Sequence, residues 1–517
     1  MKCSRLFLCV LAALVCPDSR AEDTFLEDPI SVRLMHGEHT VTLRSSEPIT
    51  FDPEDVNIEF RAGAYTIRAT QARPARQRFH LFAKTFPLDK GEEEAAYIAD
   101  ARAKGFTPEV VTIGRRVETA SGRVLDTRVH WVSVRQTETK EAAQVLRSKL
   151  LDKGQAVWIQ AEVTEPGTGF LQIQAAGGAI VASFEPPLTI QSTGAIEIDN
   201  VDIGFWDEQR KHLSYTGDFQ IRIGPDAALE LLEILPVEEY LRGVLPAEMP
   251  WSWELEALKA QAVAARTEVI ANLGSRYTLE GFDFLGNEQS RAYVGAGGFK
   301  PTTDRALLET AGQFLTEGGR IVPTVFSANC GGWTENNDTV WYGPPDSALR
   351  GVSEAIGTHN QSSPGRGELA PWLQTRPEAY CSHDQTYFRW KRTYSNKELR
   401  DMINIRHEVG QIERIELGDR GVSGRLKWVR IHGAKKVETI YKELPIRLAF
   451  GGLPSALFVL QTETDARGNV QHVFLGGGRG HGVGLCQHGA QGMAQSGMTY
   501  AQILKHYFTN VEIERYQ

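Results

Sequence analysis

The 517-residue chain has no apolar run long enough to cross a bilayer as a helix. The apolar run at residues 6–15, "LFLCVLAALV", is only ten residues long. An excess of positive charge is also lacking, because the formal net charge is -9 at pH 7. Nucleic-acid binders carry a basic surface, so this charge argues against that class. Composition is otherwise that of a globular protein, and the length suggests about three domains.

The short apolar run is typical of a secretory signal peptide. Basic residues precede it, and "DSRAED" follows with Ser19 and Ala21 as the small residues that signal peptidase needs. We therefore predict a signal peptide over residues 1–21 and export to the periplasm or cell envelope. Lipidation at Cys16 is the alternative, although the preceding "ALV" lacks the small residue expected before a lipidated cysteine.

Cysteine is scarce, with six in the whole chain. Removal of the leader leaves Cys330, Cys381 and Cys486, an odd number for an oxidising compartment. We favour a bridge between Cys330 and Cys381 because both lie in loop-like sequence, while spacing alone does not fix the connectivity.

The chain begins, after the leader, with a β-rich segment at residues 22–75 that contains "HTVTLRS" and "AYTIRAT". Residues 76–164 then repeat a strand–helix–strand pattern. The two units are "RFHLFAKTF", "EEEAAYIADARAKG", "FTPEVVTI" and "RVHWVSVRQ", "TKEAAQVLRSKLLDKG", "QAVWIQAEV". We predict apolar helix faces at Ala96, Ala99, Ala103 and at Ala143, Leu146, Leu150. Two such units predict a small sheet with two helices on one face, the split βαβ plan.

This doublet resembles a sporulation-related repeat (SPOR) domain, a family that binds peptidoglycan glycan strands stripped of their stem peptides. The resemblance implies a glycan-binding domain at residues 76–164. An unrelated ferredoxin-like module is the alternative.

Residues 165–240 are again β-rich, and a helix follows within "GVLPAEMPWSWELEALKAQAVAARTEVIANL" at 243–273. Ser252 is the predicted N-cap, Glu254 and Glu256 suit the first turn, and Gly274 offers a stop. Glu248 falls outside this pattern, and we predict that it lies in a loop between two prolines. On residue pattern alone, it reads as an acid on a surface loop.

Two later motifs are rich in small and polar residues. "SANCGGWTENNDTVW" at 327–341 suits a carbohydrate groove, because aromatic faces stack on sugars while polar groups bind hydroxyls, although the same residues suit any polar loop equally well. The glycines of "GGGRGHGVG" allow close backbone approach, but no "GK[ST]" follows, which disfavours a phosphate loop. His481, Cys486 and His488 suit zinc by type, although their spacing matches no standard pattern.

Three segments in this order resemble the stage II sporulation protein D (SpoIID/LytB, amidase enhancer) family. They are "YLRGVLPAEMPWSWELEALKAQAVAARTEV", "FSANCGGWTENNDTVW" and "GRGHGVGLCQHGAQGMAQSGMTYAQILKHYF". The resemblance spans about residues 195–517 and implies a SpoIID-type domain with a substrate groove, to which we assign residues 165–517. The fold class expected for the whole chain is therefore mixed α/β, or α+β, and multidomain.

The resemblance also implies an activity, lytic transglycosylation of peptidoglycan, and a preference for glycan strands denuded of peptides. The family's catalytic acid is the glutamate of "(S/A)EMP", which is Glu248 in this sequence. Such an acid must hold its proton at neutral pH, and an apolar setting of Met249, Pro250 and Trp251 would favour this. The residues that we expect to bind substrate are Ser327, Thr334, Glu335, His481 and Gln487.

The chain departs from the family pattern at several positions. Some relatives bind zinc through cysteine and histidine in the stretch that is "FLGNEQSRAYVG" here, which has neither residue and has Arg291 where glutamine is usual. We therefore expect no metal and no other cofactor. Arg479, Cys486 and His488 also replace residues common in the family, while His481 and Gln487 match.

Three functions remain in competition at this point. The first is an exported lytic transglycosylase that cleaves MurNAc–GlcNAc bonds and leaves 1,6-anhydro ends. The second is a regulator that enhances a separate cell-wall amidase, and the third is a structural protein that only binds the wall. The expected partners are peptidoglycan glycan strands and, for the second function, an amidase, with no nucleic acid.

Overall fold

The computed structural model describes residues 29–53, 56–204, 209–287, 289–357, 363–366, 369–464 and 468–516. The predicted signal peptide and the Cys16 alternative lie outside these residues. Among the helices described, none has the length and apolarity that a membrane crossing requires. The described chain combines eleven α-helices with eight sheets, which confirms a mixed α+β, multidomain fold.

The N-terminal segment consists of strands that alternate buried and exposed side chains. They are β1 (Ile30–Glu38), β2 (Thr40–Ser45), β3 (Ile49–Asp52), β4 (Ile58–Phe60) and β5 (Gly63–Arg73). In β2, for example, Val41 and Leu43 are fully buried while Thr42 between them is only half-buried. This alternation is what a sheet with one face on the core requires.

Residues 76–165 follow as a strand and helix module. Its elements are β6 (Arg76–Pro87), α1 (Gly91–Ala103), β7 (Glu109–Ile113), β8 (Arg116–Glu118), β9 (Val124–Asp126), β10 (Val129–Thr137), α2 (Lys140–Leu151) and β11 (Trp158–Glu165). Four strands form an antiparallel sheet in the order β11–β6–β10–β7, while β8 and β9 form a separate ribbon. Each strand and helix predicted from the near-repeat is present.

The two helices of this module use different kinds of face. Helix α2 buries the predicted positions Ala143 and Leu150. In α1 the predicted face is wrong, because Ala96, Ala99 and Ala103 are exposed and Ala101 is buried instead. The larger Tyr97 and Ile98 turn inward beside Ala101, and the Tyr97 ring lies 5.6 Å from that of Phe86. Burying them removes more apolar surface from water than burying alanines does.

The strands after the module complete the sheets begun before it. They are β12 (Thr168–Ala175), β13 (Ile180–Phe184), β14 (Leu188–Ser192), β15 (Ile196–Asp202), β16 (Arg210–Tyr215), β17 (Asp218–Ile223), β18 (Leu229–Leu235) and the short β19 (Phe284–Leu285). One sheet has the order β19–β1–β18–β17–β14–β3–β4, and another has the order β13–β12–β5–β2–β15–β16. The strands on either side of residues 76–165 thus share two sheets and one core.

A helical region comes next and carries the first recognised motif. It comprises α3 (Val237–Glu248), α4 (Leu255–Asn272), α5 (Pro301–Glu309), β20 (Gln313–Glu317), β21 (Arg320–Ile321), β22 (Phe326–Ser327), α6 (Asn337–Val340) and α7 (Leu369–Gln374). The predicted N-cap Ser252 is wrong, since Glu254 occupies the cap position of α4 without a side-chain bond. The predicted stop holds, because Gly274 follows the helix with φ +64°.

A smaller unit with its own hydrophobic core follows at residues 390–476. It comprises β23 (Trp390–Ser395), α8 (Asn396–His407), β24 (Ile412–Leu417), β25 (Trp428–Gly433), β26 (Val437–Tyr441), α9 (Glu443–Ala449), β27 (Phe458–Thr464) and β28 (Val470–Gly476). The last elements are β29 (Leu485–Cys486), α10 (Gln487–Gln495), α11 (Tyr500–Tyr507) and β30 (Glu512–Arg515). Here β29 pairs in parallel with β22, and β30 pairs with β20.

The module at residues 76–165 is expected to fold when it is produced alone. Its two ends are adjacent, since Arg76 pairs with Glu165 across β6 and β11, and α2 packs on a core within the module. Circular dichroism of the excised segment should show one cooperative thermal transition. Within it, Leu150→Ala should lower the free energy of unfolding by about 2–5 kcal/mol, because Leu150 is buried.

Leu151 is the matched control for this substitution, since it follows Leu150 in the same helix but is 45% exposed. Leu151→Ala should change the free energy of unfolding by less than about 0.5 kcal/mol. A segment without a thermal transition would contradict independent folding.

Candidate functional site

The carboxyl group of Glu248 lies at the end of a helix and not in a loop. Helix α3 continues through Pro246 and ends at Glu248, so the loop prediction is wrong. Proline keeps its carbonyl as an acceptor, and a single proline near a helix end costs less than one in its middle. The predicted apolar cover is also only partly present, because Met249 is buried while Trp251 is 52% exposed.

The surroundings of Glu248 favour its neutral form. Burial raises the pKa of Glu248 from its usual 4.5 to about 7, although Arg291 and a hydrogen bond from the Ala292 amide oppose the shift. Glu268 adds to the increase, because a second negative charge disfavours ionisation. The partial negative charge at a helix C-terminus acts in the same direction. The acid therefore holds a proton over much of the range up to neutral pH.

A cavity of about 460 Å³ opens beside this carboxyl group. Its lining is mainly polar and includes three arginines. The lining residues are Ala247, Glu248, Glu268, Ser290, Arg291, Ala292, Val325, Phe326, Ser327, Ala328, Arg447, Arg479, Gly480, His481 and Gln487. The cavity lies where the end of α3, the strand β22 and the segment before β29 meet.

Three of the predicted substrate-binding residues lie in this cavity. Gln487, the first residue of α10, donates from its side-chain amide to Glu248 over 3.5 Å. The hydroxyl of Ser327 accepts from the Gly482 amide at 3.2 Å, which fixes the glycine-rich segment against β22. His481 accepts at Nδ1 from the Val483 amide at 3.1 Å. Burial, with Arg425 nearby, lowers the pKa of His481 to about 3, so the imidazole is neutral.

Thr334 and Glu335, the other two residues expected to bind substrate, lie outside this cavity. Both are buried within the protein. The Glu335 carboxylate accepts from the backbone amides of Val422 and Ser423 at 3.0 and 3.1 Å and from the Ser423 hydroxyl at 2.7 Å. Thr334 exchanges hydrogen bonds with the backbone of Val352. Glu335 therefore holds the turn at residues 421–423 in place, and its oxygens are not available to a ligand.

The charged residues around Glu248 were not selected from the sequence as site residues. Arg291 is buried and forms an ion pair with Glu268, which lies on helix α4. Its Nε has no hydrogen-bond partner among the described residues. The replacement of glutamine by Arg291 was the available signal for this pair. Arg479, held over the Tyr387 ring at 4.4 Å, was visible as another departure from the family pattern.

Exposed aromatic rings stand next to the cavity. Trp341 is 38% exposed, and its ring lies 4.9 Å from that of His481. The neighbouring Tyr342 is 79% exposed. Flat aromatic faces that are open to solvent beside polar groups suit the binding of sugar rings.

The three cysteines of the described chain lie together behind the cavity. All are buried and free, so the bridge favoured between Cys330 and Cys381 is absent. The Sγ atoms of Cys330 and Cys381 are 3.7 Å apart. The structure does not group His481 with Cys486 and His488 as metal ligands. Instead, His488 contacts His383 through ring nitrogens 3.1 Å apart and lies 3.6 Å from the Asp384 carboxylate.

Comparison with known proteins finds two family models that match parts of the chain. Residues 226–316, which include α3 and α4, match the family model described as stage II sporulation protein. The chain contains a stage II sporulation protein domain. Residues 336–484 match a second family, described as a domain of unknown function (DUF8618), and this range contains the unit inserted before β29.

Several known proteins are similar to the chain over about half its length. A protein of Brachyspira hyodysenteriae described as uncharacterized is 28% identical over 283 residues, which are 54% of this chain and 67% of that protein. The amidase enhancer of Bacillus subtilis is 27% identical, covering 53% of this chain and 40% of its own length. Stage II sporulation protein D of Bacillus amyloliquefaciens is also 27% identical, covering 54% of this chain and 75% of its own.

The protonation of Glu248 in the stage II sporulation protein domain should be visible in protein stability. Its pKa of about 7 exceeds the usual 4.5, so between these values the folded protein holds a proton that the unfolded chain releases. This contribution to stability is complete below the unfolded value and is lost as pH rises through the folded value. Glutamine stays neutral, so Glu248→Gln should gain stability relative to the unaltered protein as pH rises from about 5 to about 8.

Melting temperatures of the two proteins across this pH range provide the test. Glu254→Gln is the control, because it removes a carboxyl group from the exposed part of the same segment, outside the cavity. A difference for Glu248→Gln that is independent of pH would contradict the raised pKa.

Proposed function

We propose that the protein is an exported lytic transglycosylase that cleaves peptidoglycan glycan strands, with Glu248 as its acid and base. The observation that carries this proposal is a carboxyl group with a pKa of about 7 at the edge of an open, polar cavity. An acid catalyst works best when its pKa lies near the working pH, because the proton is then present and also readily donated.

The proposed reaction needs one proton to move out and back. Glu248 donates its proton to the oxygen of the MurNAc–GlcNAc bond as the bond from the anomeric carbon to that oxygen breaks. The C6 hydroxyl of the same muramic acid then forms the new bond to the anomeric carbon and returns its proton to Glu248. The products are a 1,6-anhydro end and a free GlcNAc end, and no water is consumed.

A single free carboxyl group is sufficient for this chemistry. Hydrolytic glycosidases need a second carboxylate as nucleophile or to activate water. Glu268 lines the same cavity, but its carboxylate forms the ion pair with the buried Arg291. That pairing supports a role for Glu268 in holding Arg291 near Glu248. The positive charge of Arg291 lowers the pKa of Glu248 and so limits the increase caused by burial.

The arginines of the cavity support a preference for denuded strands. Removal of a stem peptide by an amidase leaves a free lactyl carboxylate on each muramic acid. Arg447 and Arg479 line the cavity together with Arg291, and guanidinium groups bind carboxylates through paired hydrogen bonds. A peptide-bearing strand offers a neutral amide at the same position and would lose this interaction.

Residues 76–165 are proposed as an accessory glycan-binding domain. The support is their resemblance to the sporulation-related repeat and the observed order of four strands with two helices. Weak binding by such a domain would raise the local concentration of glycan near the cavity.

The second candidate function is enhancement of a separate amidase without catalysis. It is favoured by the name of the Bacillus subtilis relative, amidase enhancer, and by the positive charge of Arg291, which opposes protonation of Glu248. In that case the cavity would bind glycan and leave it intact.

Glu248→Gln should abolish glycan cleavage while the protein remains folded. Glutamine keeps the size and hydrogen bonding of the side chain but donates no proton of suitable acidity. General acid catalysis contributes about 10²–10⁴-fold, so the loss of rate should be at least about 10²-fold. The measurement is mass spectrometry of soluble products from amidase-treated sacculi, with untreated sacculi in parallel.

Glu254→Gln serves again as the matched control and should retain most activity, since Glu254 is exposed and its side chain makes no cap hydrogen bond to α4. Glu256 is a poorer control, because its carboxylate also accepts from the Tyr500 amide at 2.7 Å. Anhydro ends identify a transglycosylase, and reducing ends would instead indicate a hydrolase. Intact glycan, with stimulation of an added amidase, would favour the second candidate.

The accessory domain should contribute to retention on the wall. Full-length protein and a variant that lacks residues 76–165 can be compared in pull-down with amidase-stripped sacculi, with untreated sacculi as the reference. We expect several-fold less of the shortened protein to be retained on stripped sacculi. Equal retention of the two proteins would contradict a binding role.

A further inference from the structure

The strongest unassigned feature is a cluster of four buried side chains on the far side of β29 from the cavity. Cys330, Glu354, Cys381 and Cys486 bring one ligand atom each within 4.8 Å of one another. Each residue is at most 1% exposed. Among the described residues, this is the one group of three or more histidine, cysteine, aspartate or glutamate side chains with the spacing of a metal site.

The carboxylate in this cluster lies beside the Tyr507 hydroxyl but accepts no hydrogen bond of normal geometry from the described residues. Neither oxygen of Glu354 is bonded within the described structure, and the nearby Tyr507 hydroxyl is unbonded as well. A buried carboxylate without partners is costly, and such groups in proteins are paired with a cation or bind a metal. The described residues supply no lysine or arginine ion pair to Glu354.

The geometry of the sulfur atoms fits one metal ion. Zinc–sulfur bonds are about 2.3 Å long, so two thiolates on a tetrahedral ion lie about 3.8 Å apart. The Sγ atoms of Cys330 and Cys381 are 3.7 Å apart. A disulfide needs about 2.05 Å, and its formation would leave the third thiol and the carboxylate unpaired.

The protein already supplies hydrogen bonds that stabilise a bound thiolate. Cys486 caps α10, and its Sγ accepts from the Gly489 amide at 3.4 Å and from the Cys330 amide at 3.2 Å. Outer hydrogen bonds of this kind orient metal ligands and offset the negative charge on sulfur.

We propose that Cys330, Glu354, Cys381 and Cys486 form a structural site for one zinc ion. Four protein ligands close the coordination shell, which is typical of structural and not catalytic zinc. The ligands come from four separate places: the loop after β22, the loop after α6, the loop after α7 and the start of α10. This differs from the metal-free protein expected from the sequence, where only the stretch before Tyr293 and the set with His481 and His488 were considered.

The site would also fix one wall of the cavity. Gln487 follows Cys486 directly and contacts Glu248 through its side-chain amide. Zinc at Cys486 would therefore hold the start of α10 at the distance that this contact requires. The ion itself takes no part in the proposed reaction.

Metal analysis of the full-length protein tests the proposal independently of any activity. Protein purified without chelator should contain about one zinc per chain by inductively coupled plasma mass spectrometry, with iron and copper measured in parallel. After removal of zinc, added Co²⁺ should give the thiolate-to-cobalt charge-transfer bands and intense d–d bands of a tetrahedral site. Glu354→Gln and Cys381→Ser should lose most of the zinc and melt at lower temperature.

Two variants serve as matched controls and should keep the zinc. Glu233→Gln alters another buried carboxylate, which accepts from the Tyr293 hydroxyl at 2.7 Å and lies outside the cluster. His488→Ala removes a histidine of the alternative ligand set. Unaltered protein without bound metal, or with a mapped disulfide between any two of these cysteines, would overturn the proposal even where a variant fails to fold. Loss of zinc from His488→Ala with retention in Cys381→Ser would overturn it too.

Discussion

The pairing of β22 with β29 is the contact on which the candidate site depends. Only two residues of each strand take part, and Ser327 lies opposite Cys486 in the register. This parallel pair brings residues 478–487 from the end of the chain to the motif at 326–341. The glycine-rich segment then lies against the end of α3, where His481 and Gln487 reach the cavity of Glu248. On its other side, Cys486 joins the thiol cluster.

Four glutamates near this pairing differ in the partners that their carboxyl groups have. The Glu335 carboxylate accepts hydrogen bonds from backbone amides and a hydroxyl, so it fixes the position of the turn that donates them. Glu268 is neutralised by Arg291. Glu248 has a long contact to Gln487 and a hydrogen bond from a backbone amide. These stabilise its charge too little to offset burial, so its pKa is raised and the neutral form is favoured. Glu354 accepts no hydrogen bond from the described residues. The same side-chain chemistry therefore serves support, charge balance and proton storage, according to the partners supplied.

Local elements were predictable from the sequence, because their patterns are local. The strands and helices of residues 76–165 follow period-two and helical repeats, and Gly274 marked the end of α4. The sharing of two sheets by strands from both sides of that module depends on contacts between residues about 200 positions apart, which no local pattern encodes. The helix face predicted from Ala96 and Ala99 was wrong for a related reason, because larger neighbouring side chains occupy the inward face of α1 instead.

The acid of the site followed from the family motif, whereas its surroundings did not. Arg291 and Glu268 meet only because α4 packs beside the segment at 284–295, and the sequence shows merely a substitution at one of them. Thr334 and Glu335 sit in a recognised motif yet serve the scaffold, so motif membership did not separate binding residues from supporting ones. The thiol cluster escaped notice because spacing rules for metal sites assume short loops, and its ligands are spread from residue 330 to residue 486.

The nested order of the chain has a consequence for how the protein is made. Ile30, at the start of β1, pairs with Leu235, and the last strand β30 pairs with β20. During synthesis, β1 must wait until its partner β18 emerges near residue 235, while the module at 76–165 is expected to fold at once. High contact order of this kind slows folding and leaves sheet edges exposed to other chains. The protein should therefore depend on holding chaperones more than its ordinary composition suggests, and the cavity beside Glu248 cannot be completed before Gln487 has emerged.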